Sequence, residues 1–513
     1  MRVALPLVVL DSTWEFHRDE LLYFAMGDHL DFWHMQFPPL LPAVAALAKG
    51  VFGESVFAAR VPAALAGGLL LTWMLLTVRA MGGRTFALIL TAIASLAAPV
   101  FVRPSVLMQP VIFDQMWASL ALLGVVLACV RRDARWWLVT GVALGLGTLT
   151  KFSAPLYGVI VGVVALIIPA TRAQLRTRWP WIAVLIALII AVPSVTGQYS
   201  NHWPFFAQLR VLRAGQLAHT SIAEYLTGQV LMLGAAIIPA MAGIRWSAAP
   251  SATGRSHEHG TTAATDTESA RRFVLVFAAL VVGWYLLMHG KEYYAAVAYP
   301  MLIASGAAAI ESQLAERVPV RTSRIAAGTL LAGVSVGAVL LLPMGIPCFT
   351  PAAMVRYVTA LGFGTRTNYG TTLDLPQDYA DMLGWRAEVD LVVRAYMALS
   401  SAEQNRVTIS AGNYGQVAAL AFYGPSRGLP YPVSTRSDFW AWGPGPRDGD
   451  LTLIAVTADD RDGYRVIWRA LDEVGAVRDR RRVDEERDVR VLLLRGIRVP
   501  LAELWRTRGP GWG

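Results

Sequence analysis

Apolar segments recur at about 56–78, 85–102, 113–130, 137–150, 154–170, 181–198, 223–244, 273–288, 295–311 and 325–346, separated by short polar connections. Such runs predict helices that cross a bilayer. About 20 apolar residues span ~30 Å of hydrocarbon, and every backbone polar group there must be satisfied within its own segment. Several runs fall short and borrow flanking residues. With the apolar start at 1–10, too short to span alone and with no evident cleavable signal, the pattern predicts about eleven transmembrane helices. The pattern then changes. Runs at 406–410, 451–456 and 488–494 read as buried strands, and 462–474 reads as an amphipathic helix between two of them. The expected fold is a polytopic all-α membrane domain over 1–346, followed by a small soluble α/β domain over 347–513.

Composition sharpens this division. Of 513 residues, 55% are hydrophobic and only 16% are charged, against about 25% charged in an ordinary soluble domain. The charges are sparse before about residue 345 and dense after about 365. The net charge of +9 does not indicate a nucleic-acid partner, because the basic residues sit in short clusters between apolar runs rather than on one stripe. They read as topology signals. Alternate connections carry Arg79/Arg84, Arg131/Arg132/Arg135, Arg172/Arg176/Arg178, Arg245/Arg255/Arg271/Arg272 and Arg317/Arg321/Arg324, which the positive-inside rule assigns to the cytoplasm. The loop 11–55, the turns near 104–112 and 289–294, the segment 199–222 and everything after 346 then face outward. The stretch 245–272 is expected to be a flexible cytoplasmic loop. His257 and His259 within it read as solvated, with no further metal ligand nearby. Cys129 and Cys348 fall at opposite faces, too far apart for a mutual disulfide, and neither stands in a CxxC spacing.

The chemistry-bearing residues concentrate in the loop 11–55. It mixes His17, Arg18, Asp19, Glu20, Asp28, His29, Asp31 and His34 with Trp, Phe and Leu, and contains Pro38-Pro39. Such a segment forms amphipathic helices at a membrane surface, and the Pro pair ends one and redirects the chain. Transfer of a sugar from a lipid-borne phosphate would need a carboxylate to take the acceptor hydroxyl's proton, cations on the departing phosphate, and a site at headgroup height. Asp19 and Glu20 meet the height requirement. On the residues alone they also read as solvated charges at a helix start. Asp114 opens an apolar helix at the same face, with the same two readings. Only three of the 45 basic residues are Lys. Lys49, Lys151 and Lys291 all fall at the outer boundary, where Lys151 and Lys291, with Arg60 and Arg103, are candidate phosphate holders and where snorkelling is the simpler account of Lys49. Tyr293 and Tyr294 follow Lys291 as candidate substrate contacts or interfacial aromatics. The His and Asp spacings of the loop match no closed metal site, so no metal or other cofactor is assigned, although a divalent ion remains compatible with these residue types.

His17-Arg18-Asp19-Glu20-Leu21 followed by Pro38-Pro39-Leu40 resembles the first outward loop of the GT-C superfamily, in particular bacterial membrane glycosyltransferases of the dolichyl-phosphate-mannose–protein mannosyltransferase type, which include aminoarabinose transferases. Lys291-Glu292-Tyr293-Tyr294, Tyr299-Pro300, and tail segments at 379–385, 412–415 and 440–444 are similar to segments of such proteins. The resemblance implies an inverting glycosyltransferase of the bacterial cytoplasmic (inner) membrane, with its catalytic loop and C-terminal domain outside the cytoplasm. Its donor would be a sugar on polyprenyl phosphate, and its acceptor a hydroxyl on a lipid, glycan or protein among the membrane lipids. It places the catalytic base on Asp19, with Glu20 and Asp114 in support and His17, Arg18 and His34 near substrate. One departure matters: family members often carry Lys or His before the Pro-Pro pair, where this chain has Phe37. The competing readings are a transporter or lipid flippase, which would put ionisable residues at the midplane between repeated halves, and a non-catalytic scaffold acting through its tail.

Overall fold

The computed structural model describes residues 3–8, 11–215, 217, 221–249, 262–316, 319–362, 365–367 and 370–511. All ten apolar runs are helical. Seven helices among the described residues are long and apolar enough to cross a membrane by themselves, and up to eight if one bent pair is a single span. Length alone does not reach eleven. Trp137–Thr148 has 12 residues and Ala154–Ile167 has 14, or about 18 and 21 Å of helix at 1.5 Å per residue. The bent pair is Thr85–Ala97 with Pro99–Val106, meeting at 81°. Pro99 supplies the reason: it has no N–H to continue the ladder, and it pushes Ala98 to an extended conformation (φ −104°, ψ 105°). His257, His259, Arg255 and Arg317 lie outside the described residues.

The polar connections sort to two ends of the helical body. At one end Arg132 pairs with Asp266 at 2.6 Å, and Glu311 accepts from the Phe86 amide at 2.9 Å. At the other, the first loop meets the turns between helices: the Leu40 amide donates to the Leu149 carbonyl, and the Met108 amide to Glu20 Oε1. Cys129 and Cys348 are both free.

The loop 11–55 contains two helices, Arg18–Asp28 and Leu40–Phe52. The second fits the surface-helix expectation, with Leu47, Val51 and Phe52 exposed. The first departs from it. Every residue from Glu20 to Met26 is buried, because this helix is enclosed between Leu40–Phe52 and a tail helix, Tyr414–Tyr423. Phe422 stacks on Phe24 (centroids 5.5 Å apart) and meets Phe16 edge-on at 4.8 Å. One apolar core therefore runs from the helical body into the tail.

The tail holds a four-stranded sheet. Thr408–Ala411 runs parallel to Leu451–Thr457, which pairs antiparallel with Asp488–Ile497, which pairs antiparallel with Trp468–Arg478. The three expected strands are present. The helix expected over 462–474 is not: Ala458–Val466 is a 3₁₀ turn, and Trp468–Arg478 is the sheet's edge strand. Trp468 and Leu471 stand three apart, as on a helix, but pairing with 488–497 prevails over that local spacing.

The helices Ile237–Ala248 and Tyr299–Glu316 cross in close contact at Gly306 and Gly243. A Cβ on Gly306 would fall 1.7 Å from the Pro239 carbonyl oxygen, and one on Gly243 would fall 2.2 Å from that of Leu302. Small residues permit this approach, and without a hydrophobic driving force in lipid the van der Waals contact carries the pairing. Gly306→Ala is expected to separate the two backbones and lower stability by about 1–3 kcal/mol, read as a drop in the thermal midpoint of the detergent-purified chain; Gly328→Ala, which meets nothing within 4 Å, should leave it unchanged.

Candidate active site

The helix Arg18–Asp28 begins with a side-chain cap. The Asp19 amide donates to His17 Nδ1 at 3.1 Å, and the His17 amide donates to Glu20 Oε2 at 2.9 Å. Both acidic residues occupy the first turn, where the helix dipole favours them. Their environments differ sharply. Glu20 is 0% exposed. Its second oxygen takes the Met108 amide at 3.2 Å and lies 3.6 Å from Arg60 Nε. Arg60, itself buried, also donates to the Glu15 carbonyl. These groups fix the loop to the helical body. Asp19, with a side chain 21% exposed, receives Tyr414 Oη–H at 2.8 Å on Oδ1 and Gln109 Nε2–H at 3.1 Å on Oδ2. No Arg or Lys forms an ion pair with it among the described residues.

Tyr414 comes from the tail, at the first position of the helix Tyr414–Tyr423. An Asn413–Gln416 capping box sets that start. Gly415 allows the helix to approach the loop: a Cβ there would lie 2.9 Å from the Trp385 ring and 3.1 Å from Arg18 Cβ. Around this contact the loop and tail exchange charges. Arg18 reaches Asp381 (3.4 Å), Glu485 (2.9 Å) and Glu486 (3.8 Å). Arg103 pairs with Asp378. His17 Nε2 faces Asp381 at 3.5 Å and Asp378 at 3.9 Å. Burial works to raise the Asp381 pKa, and Arg18 and His17 outweigh it and hold it below the ordinary carboxylate range. Burial works against the charge of His17, but Asp19, Asp381 and Asp378 prevail and raise its pKa to about 9.

His17, Asp378 and Asp381 bring three potential metal ligands within 4.8 Å of one another. The local geometry does not fit a cation at that point. Nε2 of His17, the atom facing the carboxylates, carries a hydrogen in the protonated ring, and also in the neutral ring when Nδ1 accepts the Asp19 amide. The second oxygens of the two acids are turned to Arg18 and Arg103.

A second polar group gathers behind the loop. Asp114, 2% exposed, accepts on one oxygen from Lys151 (3.1 Å), Ser153 (3.3 Å) and Tyr157 (3.1 Å), and Tyr157 contacts the Tyr285 hydroxyl at 3.1 Å. Lys151 also lies 5.1 Å from the Tyr294 ring, which meets Tyr293 at 4.8 Å. Lys291, 8% exposed, lies 5.9 Å from the Tyr293 ring and pairs with no carboxylate among the described residues. Lys49 instead bridges Asp28 and Glu54 at the surface. Phe37 packs edge-on against Tyr23 at 5.0 Å. Tyr23 is fully buried, its hydroxyl has no partner, and it lies in the fields of Asp19, Tyr414, Tyr293 and Asp438.

The structure thus gathers Asp19, His17 and Arg18 at the junction of loop and tail. Asp114, Lys151, Tyr293, Tyr294 and Lys291 form a neighbouring cluster. His34 is placed elsewhere, paired with Asp438 at 3.3 Å. Glu20, Arg60 and Arg103 are engaged in holding elements together. Sequence reasoning missed Gln109, Tyr414, Asp378 and Asp381; Asp381 lies in the tail segment 379–385 and Tyr414 in 412–415, where only the resemblance pointed, and Asp378 stands just before the first of these.

Residues 36–196 match the family described as dolichyl-phosphate-mannose-protein mannosyltransferase. That span includes Asp114 and Lys151 and begins after Asp19. No curated protein matches the chain. Among solved structures, ArnT from Cupriavidus metallidurans in the apo state is 15% identical with a TM-score of 0.61, covering 96% of each chain. The same protein bound to undecaprenyl phosphate is 16% identical with a TM-score of 0.58, covering 96% of this chain and 97% of that one. Likeness at this identity establishes the fold: the chain has the architecture seen in ArnT.

The raised pKa of His17 makes the loop–tail junction pH-dependent. Its contribution to stability is complete below about 6.5, the unfolded value, and is lost as pH rises through about 9. The thermal midpoint should therefore fall between pH 7 and 10 by an amount worth at most about 3 kcal/mol. His17→Asn, which retains an N-cap, should flatten that alkaline limb.

Proposed function

We propose that this chain is an inverting glycosyltransferase that moves a sugar from a polyprenyl-phosphate donor to a hydroxyl acceptor at the outer face of a bacterial cytoplasmic membrane. The observation that carries this reading is the state of Asp19. The other acids of the site are each matched to a cation: Glu20 to Arg60, Asp114 to Lys151, Asp378 to Arg103, Asp381 to Arg18. Asp19 has no Arg or Lys partner among the described residues: it is oriented by the Tyr414 hydroxyl and the Gln109 amide, lies 3.8 Å from the His17 imidazole, and is partly open. A partly open carboxylate so oriented can accept a proton from a bound hydroxyl.

In the proposed reaction, Asp19 takes the acceptor hydroxyl's proton as that oxygen bonds to the anomeric carbon. The bond from this carbon to the phosphate oxygen breaks on the opposite face, and the electron pair leaves with polyprenyl phosphate. A single displacement inverts the anomeric centre. A phosphate departs readily without a general acid, so cations suffice on its side. Lys291 is assigned the principal role there, since it is buried and has no carboxylate partner among the described residues; Lys151, whose charge Asp114 already offsets, has the lesser one. In this reading Lys291 supplies the cation that Phe37 does not. Glu20 is assigned a positioning role, and no metal or other cofactor is assigned. The match to a family of polyprenyl-type sugar transferases and the likeness to a structure bound to undecaprenyl phosphate support the choice of donor.

Asp19→Asn, with folding confirmed by its thermal midpoint, is expected to lower transfer by about 10²–10⁴-fold, measured as release of free polyprenyl phosphate; near-normal turnover would remove Asp19 from the base role. Lys291→Met is expected to weaken donor use by about tenfold or more, and Lys151→Met by less; the reverse order would reassign the phosphate contact.

A further inference from the structure

The tip of the first loop and the tail turn 438–442 enclose a cleft of about 310 Å³ that the proposed reaction does not use. Its walls include His29, Asp31, Trp33, His34, Asp438 and Trp442. No Lys or Arg lines it, so its field favours neutral or cationic guests and opposes phosphates and carboxylates. The walls are firmly set. His34 and Asp438 are both buried and paired, and Asp438 also takes the Met35 amide at 2.8 Å. Trp442 stacks on His29 with ring centroids 4.0 Å apart and planes 13° from parallel. One group in this frame lacks a partner: His34 Nε2 is fully enclosed and makes no hydrogen bond. A buried polar atom left in that state costs about 1–3 kcal/mol unless a ligand or water completes it.

We propose that this cleft is a saccharide subsite, taking a neutral or amino-substituted sugar ring that belongs to the glycan part of the acceptor. Indole faces and edges offer the apolar surface that a sugar's C–H face covers, while carboxylates and imidazoles bond its hydroxyls. An amino substituent would be matched by Asp31. The cleft lies along the same helix as the proposed base: Asp19 is in the first turn of Arg18–Asp28 and His29 caps its other end, about 15 Å away. Assigning the ring to the acceptor rests on the transfer reading above; binding of a saccharide here does not.

The test separates the two. Saturation-transfer NMR on the full-length Asp19→Asn chain in detergent reports binding without turnover. Methyl mannoside and glucosamine serve as neutral and amino probes, with mannose 6-phosphate as the anionic control. At least one of the first two should give saturation transfer, and the phosphate should give none. Ala441→Trp, which fills the cleft from its exposed lining without removing a polar group, should abolish the signal. Asp31→Ala, at an exposed position, should weaken binding by about tenfold. Absence of signal from both uncharged-or-amino probes, equal binding of the phosphate, or a signal unchanged in Ala441→Trp would each overturn the proposal, whatever the outcome for Asp19 in transfer.

Discussion

Arg18 reaches out of the first loop into a nest of tail carboxylates, Asp381, Glu485 and Glu486. With His17 and Arg103 it forms a largely enclosed ionic clasp between membrane body and tail. Removing one partner from such a cluster leaves an uncompensated charge and costs about 3–5 kcal/mol. The clasp is therefore a constraint on geometry more than a source of net stability. It holds the tail against the first loop, with Arg18 5.3 Å from the Tyr414 ring, and so fixes where the Tyr414 hydroxyl meets Asp19.

A division of labour follows from it. Arg18, Arg60 and Arg103 are committed to loop, body and tail, and each is matched to an acid. What remains without an Arg or Lys partner among the described residues is Asp19, which has only His17 at 3.8 Å, and what remains without a carboxylate partner is Lys291. A base needs an unneutralised carboxylate, and a phosphate needs an unneutralised cation. The same pairing that rigidifies the junction thus leaves one group of each sign available. Glu20 shows how close the two fates lie. One residue from Asp19, it is turned inward by the capping geometry and serves the loop's anchorage.

The helical body was legible because hydrophobic length is a strong signal, and all ten runs are helices. The enclosure of Arg18–Asp28 was not, since its burial comes from a helix nearly four hundred residues away. The capping box was hidden because His17 stands where Ser or Thr usually announces one. Asp19 could be singled out as an acid at a loop helix start, but its partners Gln109 and Tyr414 lie 90 and 395 residues distant, beyond any local pattern. The edge strand Trp468–Arg478 was misread as a helix for a related reason: its identity resides in pairing with 488–497, not in its own spacing. Phe37, a departure at the level of sequence, is a packing residue against Tyr23, and the proposed reaction assigns the missing cation to Lys291, far along the chain.

The central claim is that the tail positions the base through one hydroxyl. A double-mutant cycle between Tyr414→Phe and Asp19→Asn, read as the rate of polyprenyl phosphate release, tests it directly. The account predicts that Tyr414→Phe slows transfer when Asp19 is present and has little further effect once Asp19 is Asn. Additive losses, or a Tyr414→Phe chain with full activity, would contradict it.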